Sequence, residues 1–358
     1  MSERWPILQP GAGAIRAAEY LPADPELVLW GESPSAADAW VLSVASGTEV
    51  TIDTISHEGI LEDQGRDPAG FFAGHGVARE AVLDDAIALA ASAREHDPTR
   101  VGPHVITGPI RVEGARPGDL LKMTLIEALP RVPYGVISNR HGKGALSGEF
   151  PQGDGNVSVF AGVDDEGRGV IDYGDGSGRA VRFPLNPFLG TMGVAVGGDA
   201  RAHSVPPGLH GGNIDIALLT EGASLYLPVQ VAGALAYIGD PHFAQGDGEV
   251  ALTAMEASLR ATVRFEVVDA AEAELAFGRI IGPMAETSEF LIPTGLDDDL
   301  DLAVRKAVQA SIALIVARYG MTPANAYAYL SAATDFRISQ VVDVVKGVHA
   351  TIRVADFL

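Results

Sequence analysis

Histidines and carboxylates gather in a few glycine-rich segments of this 358-residue chain. HSVPPGLHGGNIDIALLTEG (203–222) carries His203 and His210, a Gly-Gly-Asn step ending at Asn213, and Asp215 at the head of an apolar run. GDPHFAQGDGEV (239–250) places Asp240, His242, Gln245, Asp247 and Glu249 close together. HEGILEDQGRD (57–67) opens with His57 and Glu58, His104 precedes a β-rich run, and NRHGKGALSGEF (139–150) holds His141 and Glu149. Imidazoles and carboxylates are ligands for zinc and other divalent cations, and oxygen-rich turns also suit calcium. A cation held by such groups lowers the pKa of its bound water toward 7 and polarises a carbonyl. The spacing matches no short metal motif such as HExxH. A DPH or GDGE step can equally be only a turn, since Asp and Gly tolerate turn dihedrals. GxxxxGK[ST] and GxSxG are both absent, which removes a P-loop and a nucleophile elbow.

Composition bounds the partners. Asp and Glu number 47 against 25 Lys and Arg, a net charge of −22, so phosphate backbones and anionic bilayers are repelled. Neither a nucleic-acid nor a membrane partner is expected. There is no cysteine, which excludes a disulfide framework, a thiolate metal site and a cysteine nucleophile. The start, MSERWPILQPGAG, lacks a basic stretch followed by an apolar one, so no secretory signal is expected and a cytoplasmic location is the default.

The polar segments need a scaffold, and 64 of 358 residues, about 18%, are Gly or Pro. The usual share is roughly 12%, so many turns and short strands are expected. Strands are expected within 28–56, where VTIDTI alternates with period two, on both sides of the ARPGD turn in 105–131, within 180–197, and through most of 223–268. Residues 57–76 and 134–157 are expected as loops, and 79–95 as a helix. The spacing predicts a long helix over 297–320, with an acidic first turn and Gly320 behind it. A second helix is expected from Thr322 and Pro323, and QVVDVVKGVHATIRVA is read as strand. The fold class expected is α+β: β-rich, with barrel- or sandwich-like sheets and a helical C-terminal part. The division expected is a 1–285 β-rich catalytic region and a 286–358 helix–helix–strand region packed on it.

Several blocks resemble, in order, the acetamidase/formamidase family. They are TGPIRVEGARPGDLL (107–121), FPLNPFLGTMGVA (183–195), the helix pair and strand of 297–353, and above all 206–250. The last contains the family's GGN-x-D step, a Pro-Val strand and G-D-x-H-x-x-Q-G-D-G-E. Asn213, Asp215, Asp240, His242, Gln245, Asp247 and Glu249 fall on matched positions. His104 stands where the family also tends to place a histidine. The chain departs from the family at 53–67, where SHEGILEDQG replaces an Asp and a Gly-Gly-Gln type of turn. That change admits His57 or Glu58 to the ligand set, or a different substrate.

The resemblance implies hydrolysis of a small linear carboxamide to carboxylate and ammonia, a divalent metal, most simply zinc with calcium as the alternative, and a homo-oligomer, dimeric or higher. We expect His104, Asp215 and His242 to hold the metal. Glu249 or Glu149 would carry the proton, and Asn213 or the Gly211–Gly212 amides would face the oxyanion. His57, His141, His210, Gln245 and Asp247 are expected around the substrate. The competing readings are a non-catalytic protein that binds a cation or small polar ligand, and a hydrolase of a larger or cyclic amide.

Overall fold

The computed structural model describes residues 5–278, 280 and 282–357. Two large sheets, of nine and eleven strands among the described residues, carry most of the chain. The period-two run forms strand Thr48–Asp53, which pairs antiparallel with Leu259–Val268, Ile52 opposite Ala261. Leu259–Val268 pairs in turn with Leu120–Pro130. Alternation sends Val50, Ile52, Leu121, Met123, Leu125, Val263 and Phe265 inward from this sheet. They share one core with Ile110, Phe188, Leu189, Met192, Ile238 and Phe243 of the other, the arrangement of a sandwich. The architecture is therefore the β-rich one expected.

The eleven-stranded sheet is organised around Ala236–Ala244, buried along all but its last residue. One side pairs with Phe188–Gly193 throughout. The other pairs first with Val105–Val112 and then, past Asp240, with Met255–Glu256. Pro241 lacks an N–H and would break a central ladder. It sits where one partner strand hands over to the next, so no ladder bond is lost.

At the C-terminal end, helix Leu300–Tyr319 is capped by Asp299, whose side chain accepts from Leu302 N–H at 3.0 Å, and stops at Gly320 with φ 66°. Helix Pro323–Ala333 starts on Thr322. Leu314, Ile315 and Leu330 pack on Leu291 and Ile352 of the sheet below. Strand Phe290–Asp297 and strand Lys346–Arg353 extend the same nine-stranded sheet that contains Thr48–Asp53.

Several local expectations are corrected. The helix over 79–95 is confined to Asp84–Ala91, where Arg79–Ala81 forms only a 3-10 turn and Ser92 returns to extended backbone. Residues 134–157 contain strand Tyr134–Arg140, and strand Asn156–Val163 begins at their end. A helix, Ala270–Phe277, follows the strand that ends at Val268. Loop 57–76 includes a 3-10 turn at Glu62–Gln64 and a short helix, Pro68–Ala73. The C-terminal stretch read as one strand is broken: Asp335–Gln340 ends, a turn runs through 341–345, and Lys346–Arg353 follows. Among the described residues no helix is long and apolar enough to cross a membrane.

Among the described residues two arginines are fully buried, Arg131 and Arg260. Asp53 lies between them, 2.6 and 2.9 Å from Arg260 Nε and Nη2 and 3.6 Å from Arg131 Nη2. Tyr20 Oη donates to the same carboxylate at 2.6 Å. Arg131 also meets Asp85 at 2.8 Å.

His349 lies buried on Lys346–Arg353, its Nδ1 2.8 Å from Ser339 Oγ, and burial pushes its pKa down to about 4. A depressed imidazole favours the folded state above the unfolded value near 6.5, and that contribution is lost as pH falls toward 4. We expect the stability gap between wild type and His349→Gln to shrink by about 3 kcal/mol from pH 7.5 to pH 4, as read by urea unfolding. A gap independent of pH contradicts this.

Candidate active site

Asp240 and His242 stand two residues apart on Ala236–Ala244, so both project from one face. Cross-strand pairing sets Glu256 directly opposite His242. His104 enters just ahead of Val105–Val112. Asn213 ends strand Gly211–Asn213, and the Ile214 and Asp215 amides both donate to Gly190 O, at 2.9 and 3.2 Å. His57 and Glu58 come from the segment that leaves Thr48–Asp53 in the other sheet. Glu249 is set by the GDGE turn, anchored where Gly248 N–H donates to Ser339 O at 3.0 Å. Asp343 comes from the 341–345 turn, which Gln340 holds by accepting from the amides of Val342 and Asp343 at 3.0 and 3.1 Å.

These side chains converge in three overlapping buried groups: His57, His104 and Asp240; Asp215, His242 and Glu249; Asp240, His242 and Glu256. His242 Nε2 lies 3.0 Å from Asp240 Oδ2 and 3.1 Å from Glu256 Oε1. None of these contacts gives Nε2 a hydrogen bond, and both Asp215 oxygens, Asp240 Oδ1, Glu256 Oε2 and Asp343 Oδ2 are also unpartnered. A buried polar atom without a partner costs about 1–3 kcal/mol, more if charged, so several at one point call for a ligand. Donors sharing one zinc at about 2.0–2.2 Å must themselves stand roughly 3 Å apart.

The surroundings prepare the imidazoles to bind through one nitrogen. Gln245 Nε2 donates to Asp215 O and Ser339 O, at 2.9 and 3.2 Å. Its Oε1 is thus left to accept from His242 Nδ1 at 3.0 Å, and Nε2 is bare toward the carboxylates. His104 Nδ1 is likewise engaged by Ser204, 3.0 Å from Oγ and 3.2 Å from the carbonyl, leaving Nε2 toward Asp240. Fixing one ring nitrogen by a hydrogen bond orients a metal-binding histidine.

Backbone and charge show the same concentration. Asp215, Asp240 and Glu249 all have left-handed backbone, with φ of 47°, 48° and 48°. Such residues cost about 1–3 kcal/mol each and cluster at functional sites. Burial and the neighbouring Glu249, Asp343 and Asp240 hold the Asp215 carboxyl well above its usual range. Burial raises Glu249 and Glu256 as well, and Asp343 to about 7. Burial would depress His57, but Asp240, Glu58 and Glu256 outweigh it and carry it up to about 10. For Asp240, burial is outweighed by His104 and His242, and its carboxyl lies well below the usual range. The cluster has more carboxylate than cation, the condition under which a metal displaces protons.

A cavity of about 720 Å³ opens onto the cluster, with His57, His104, Asn213, Asp240, Glu249, Glu256 and Asp343 in its wall beside the apolar Leu61, Val101 and Val342. Asn213 is oriented by Thr191 Oγ1, which donates to its Oδ1 at 2.9 Å. Glu149 and Asp247 are exposed and lie outside the cavity wall, and Asp247 faces Arg337 at 3.5 Å. His141 is held by Pro151 O at 3.1 Å, also outside that wall. His210 is buried at the Gly208–Gly212 turn, where burial lowers its pKa to about 4. Gln245 touches His242 rather than the cavity. Glu256 and Asp343 were not singled out by sequence reasoning. The only available signal was a lone acid within an apolar run, ALTAMEASL and QVVDVV.

Fold and cluster together define a β-rich protein with a buried histidine–carboxylate centre at the foot of a cavity. The chain belongs to the Acetamidase/Formamidase family, whose pattern matches residues 81–203 and 196–356. It is 31% identical over 201 residues to a formamidase of Methylophilus methylotrophus, covering 44% of this chain and 49% of that protein. It is 30% identical over 199 residues to an acetamidase of Mycolicibacterium smegmatis, covering 41% and 49%. The matched region is thus about half the length of these curated relatives. The structure of a predicted acetamidase/formamidase from Thermoanaerobacter tengcongensis superposes with a TM-score of 0.73 at 26% identity, covering 95% of this chain and 97% of that one.

Proposed function

We propose that the chain is an amidohydrolase that cleaves the C–N bond of a small linear carboxamide at the Asp240–His242 cluster, releasing a carboxylate and ammonia. The observation that carries this reading is the convergence of unpartnered, buried metal-type donors at the foot of an open cavity, in a chain of this family. Asp215, Asp240, His242 and Glu256 would hold a divalent cation, with His104 and His57 on the far side of Asp240. When bound, such a cation polarises the amide carbonyl and brings the pKa of a bound water toward 7. Zinc is the cation this reading favours, given the imidazoles, and calcium is its alternative.

The chain's own residues do the rest. Asn213 has its carbonyl oxygen engaged by Thr191, which turns its NH₂ group toward acceptors, the Asp343 carboxylate among them, and that group is the donor assigned to the oxyanion. Of the two carboxylates considered for protonating the leaving nitrogen, Glu249 lines the cavity and Glu149 does not, so the role goes to Glu249. Gln245 keeps His242 in register and ties the Asp215 backbone to it. The 286–358 region contributes Asp343 and the Ser339–Val341 segment that anchors the GDGE turn. A homo-oligomeric, cytoplasmic enzyme is part of the reading. The cavity volume falls within the range of about 300–1,000 Å³ that accommodates drug-sized molecules, which favours as a second reading an amide with a larger substituent.

The test is ammonia release from formamide, acetamide, propionamide and benzamide by the purified protein. Release from the shorter amides supports the first reading, and release from benzamide alone supports the second. No release from any of them overturns both and leaves a binding role. In the active enzyme, Asn213→Ala is expected to lower kcat about 10²-fold with KM little changed, the pattern of a donor that acts in the transition state. A variant altered only in KM would remove Asn213 from that role.

A further inference from the structure

Asp240 stands between two sets of imidazole nitrogens. Its Oδ2 faces His242 Nε2 at 3.0 Å. Its Oδ1 faces the other way, 3.5 Å from His57 Nδ1 and 3.7 Å from His104 Nε2. Oδ1 makes no hydrogen bond, and neither ring nitrogen of His57 makes one, although that side chain is only 3% exposed. His57, His104 and Asp240 form one group of candidate ligands, while His242 belongs to others completed by Asp215, Glu249 and Glu256. One carboxylate thus presents each of its oxygens to a different histidine set.

Charge counts in the same direction. Asp215, Asp240, Glu249, Glu256 and Asp343 are buried together, and each bears a negative charge when ionised. The guanidinium of Arg140 is committed elsewhere, 3.5 Å from Glu58 and 2.7 Å from Asp63. One divalent cation supplies two positive charges to a pocket that holds these five carboxyls. Uncompensated charges cost several kcal/mol each in a buried site.

The geometry points to a two-cation centre in which Asp240 gives one oxygen to each ion: an inner ion at His242, Asp215 and Glu256, and an outer ion at His57 and His104. This inference rests on the metal part of the reading above and adds the second site. His57 is the residue that makes it, and it lies in the SHEG segment where the chain departs from its family's pattern. Behind it, Glu58 Oε1 is 3.3 Å from His57 Nε2, and Glu58 is itself fixed by Ser138 Oγ at 2.6 Å and by Gln64. A carboxylate behind a ligating imidazole orients the ring and raises its basicity, so Nδ1 is the coordinating atom and Glu58 a positioning residue.

The full chain is stripped with chelator, equilibrated with buffered zinc, desalted, and its zinc counted per chain. Two zincs are expected for wild type and one for His57→Ala with an unchanged circular dichroism spectrum. One zinc on wild type overturns the proposal, and so does a native-like His57→Ala that keeps two or keeps none. Should His57→Ala not fold, Glu58→Gln decides. One of its two zincs is then expected to bind about 10–100-fold more weakly in competition with a chromophoric chelator. Unchanged affinity at both sites counts against the proposal. A chain with two zincs that releases no ammonia from any amide sinks the amidase reading and leaves this one. An amidase with a single zinc does the reverse.

Discussion

Replacing Gly190 by alanine will abolish the amide hydrolysis proposed for this site. Gly190 lies on Phe188–Gly193 beneath the cluster. A Cβ there would come within 2.5 Å of both Asp215 Oδ1 and Asp240 Oδ2, and within 2.7 Å of His242 Cε1. All three belong to the donor set, so a methyl group occupies the place where their atoms meet. The side chains can yield only by turning away from one another, because Asp215 and Asp240 already hold left-handed backbone and the Asp215 amide is tied to Gly190 O. The expected loss in kcat/KM is at least about 10³-fold, equivalent to roughly 4 kcal/mol of transition-state stabilisation. Bound metal is expected to fall with it. Steady-state kinetics and metal analysis on the same preparation check this. A Gly190→Ala enzyme within tenfold of wild type, with its metal intact, contradicts the assignment of the site.

Asp53→Ala will have the largest effect on stability. Asp53 is the carboxylate shared by buried Arg260 and Arg131, and it also accepts from Tyr20. Removing one partner of a buried pair leaves charge that water cannot reach, at a cost of about 3–5 kcal/mol. Here Arg260 loses its counterion while Arg131 keeps Asp85 at 2.8 Å, and backbone carbonyls of Gln9, Ala12 and Ala14 still accept from Arg260. The melting temperature is expected to fall by about 4–7 °C. The same residue lies four positions ahead of His57, so activity is expected to fall before the protein unfolds. Calorimetry with a parallel activity assay measures both. A shift of only a degree or two would show that those carbonyls suffice.

The parts that were legible in the sequence are those with local causes. The helices Leu300–Tyr319 and Pro323–Ala333 announce themselves through Asp299, Gly320, Thr322 and Pro323, each acting within one turn. Asn213, Asp215, Asp240 and His242 stand in one contiguous block, and the glycine-rich steps around them mark a backbone under unusual demands. Glu256 was hidden because its meaning lies in a cross-strand pairing with His242, fourteen positions earlier, that no local pattern reveals. Asp343 sits in QVVDVV, whose β-branched residues read as unbroken strand, yet Gln340 folds that stretch into a turn that delivers the carboxylate. The strand Tyr134–Arg140 was obscured by Gly135, Ser138 and Asn139. Ser138 is buried because its hydroxyl has Glu58 to bond, so a polar residue occupies an inward position. His57 and Glu58 were visible as a departure from the family's pattern, and the structure places His57 against Asp240 and Glu58 behind His57.

The most direct measurement is ammonia release from formamide and acetamide by one preparation in three states: as purified, after exhaustive chelation, and after zinc is returned. The account predicts release that disappears on chelation and returns with zinc in proportion to the metal bound. Release that continues at full rate from metal-free protein would contradict it, because the Asp240–His242 cluster would then be doing something other than holding the ion that activates water.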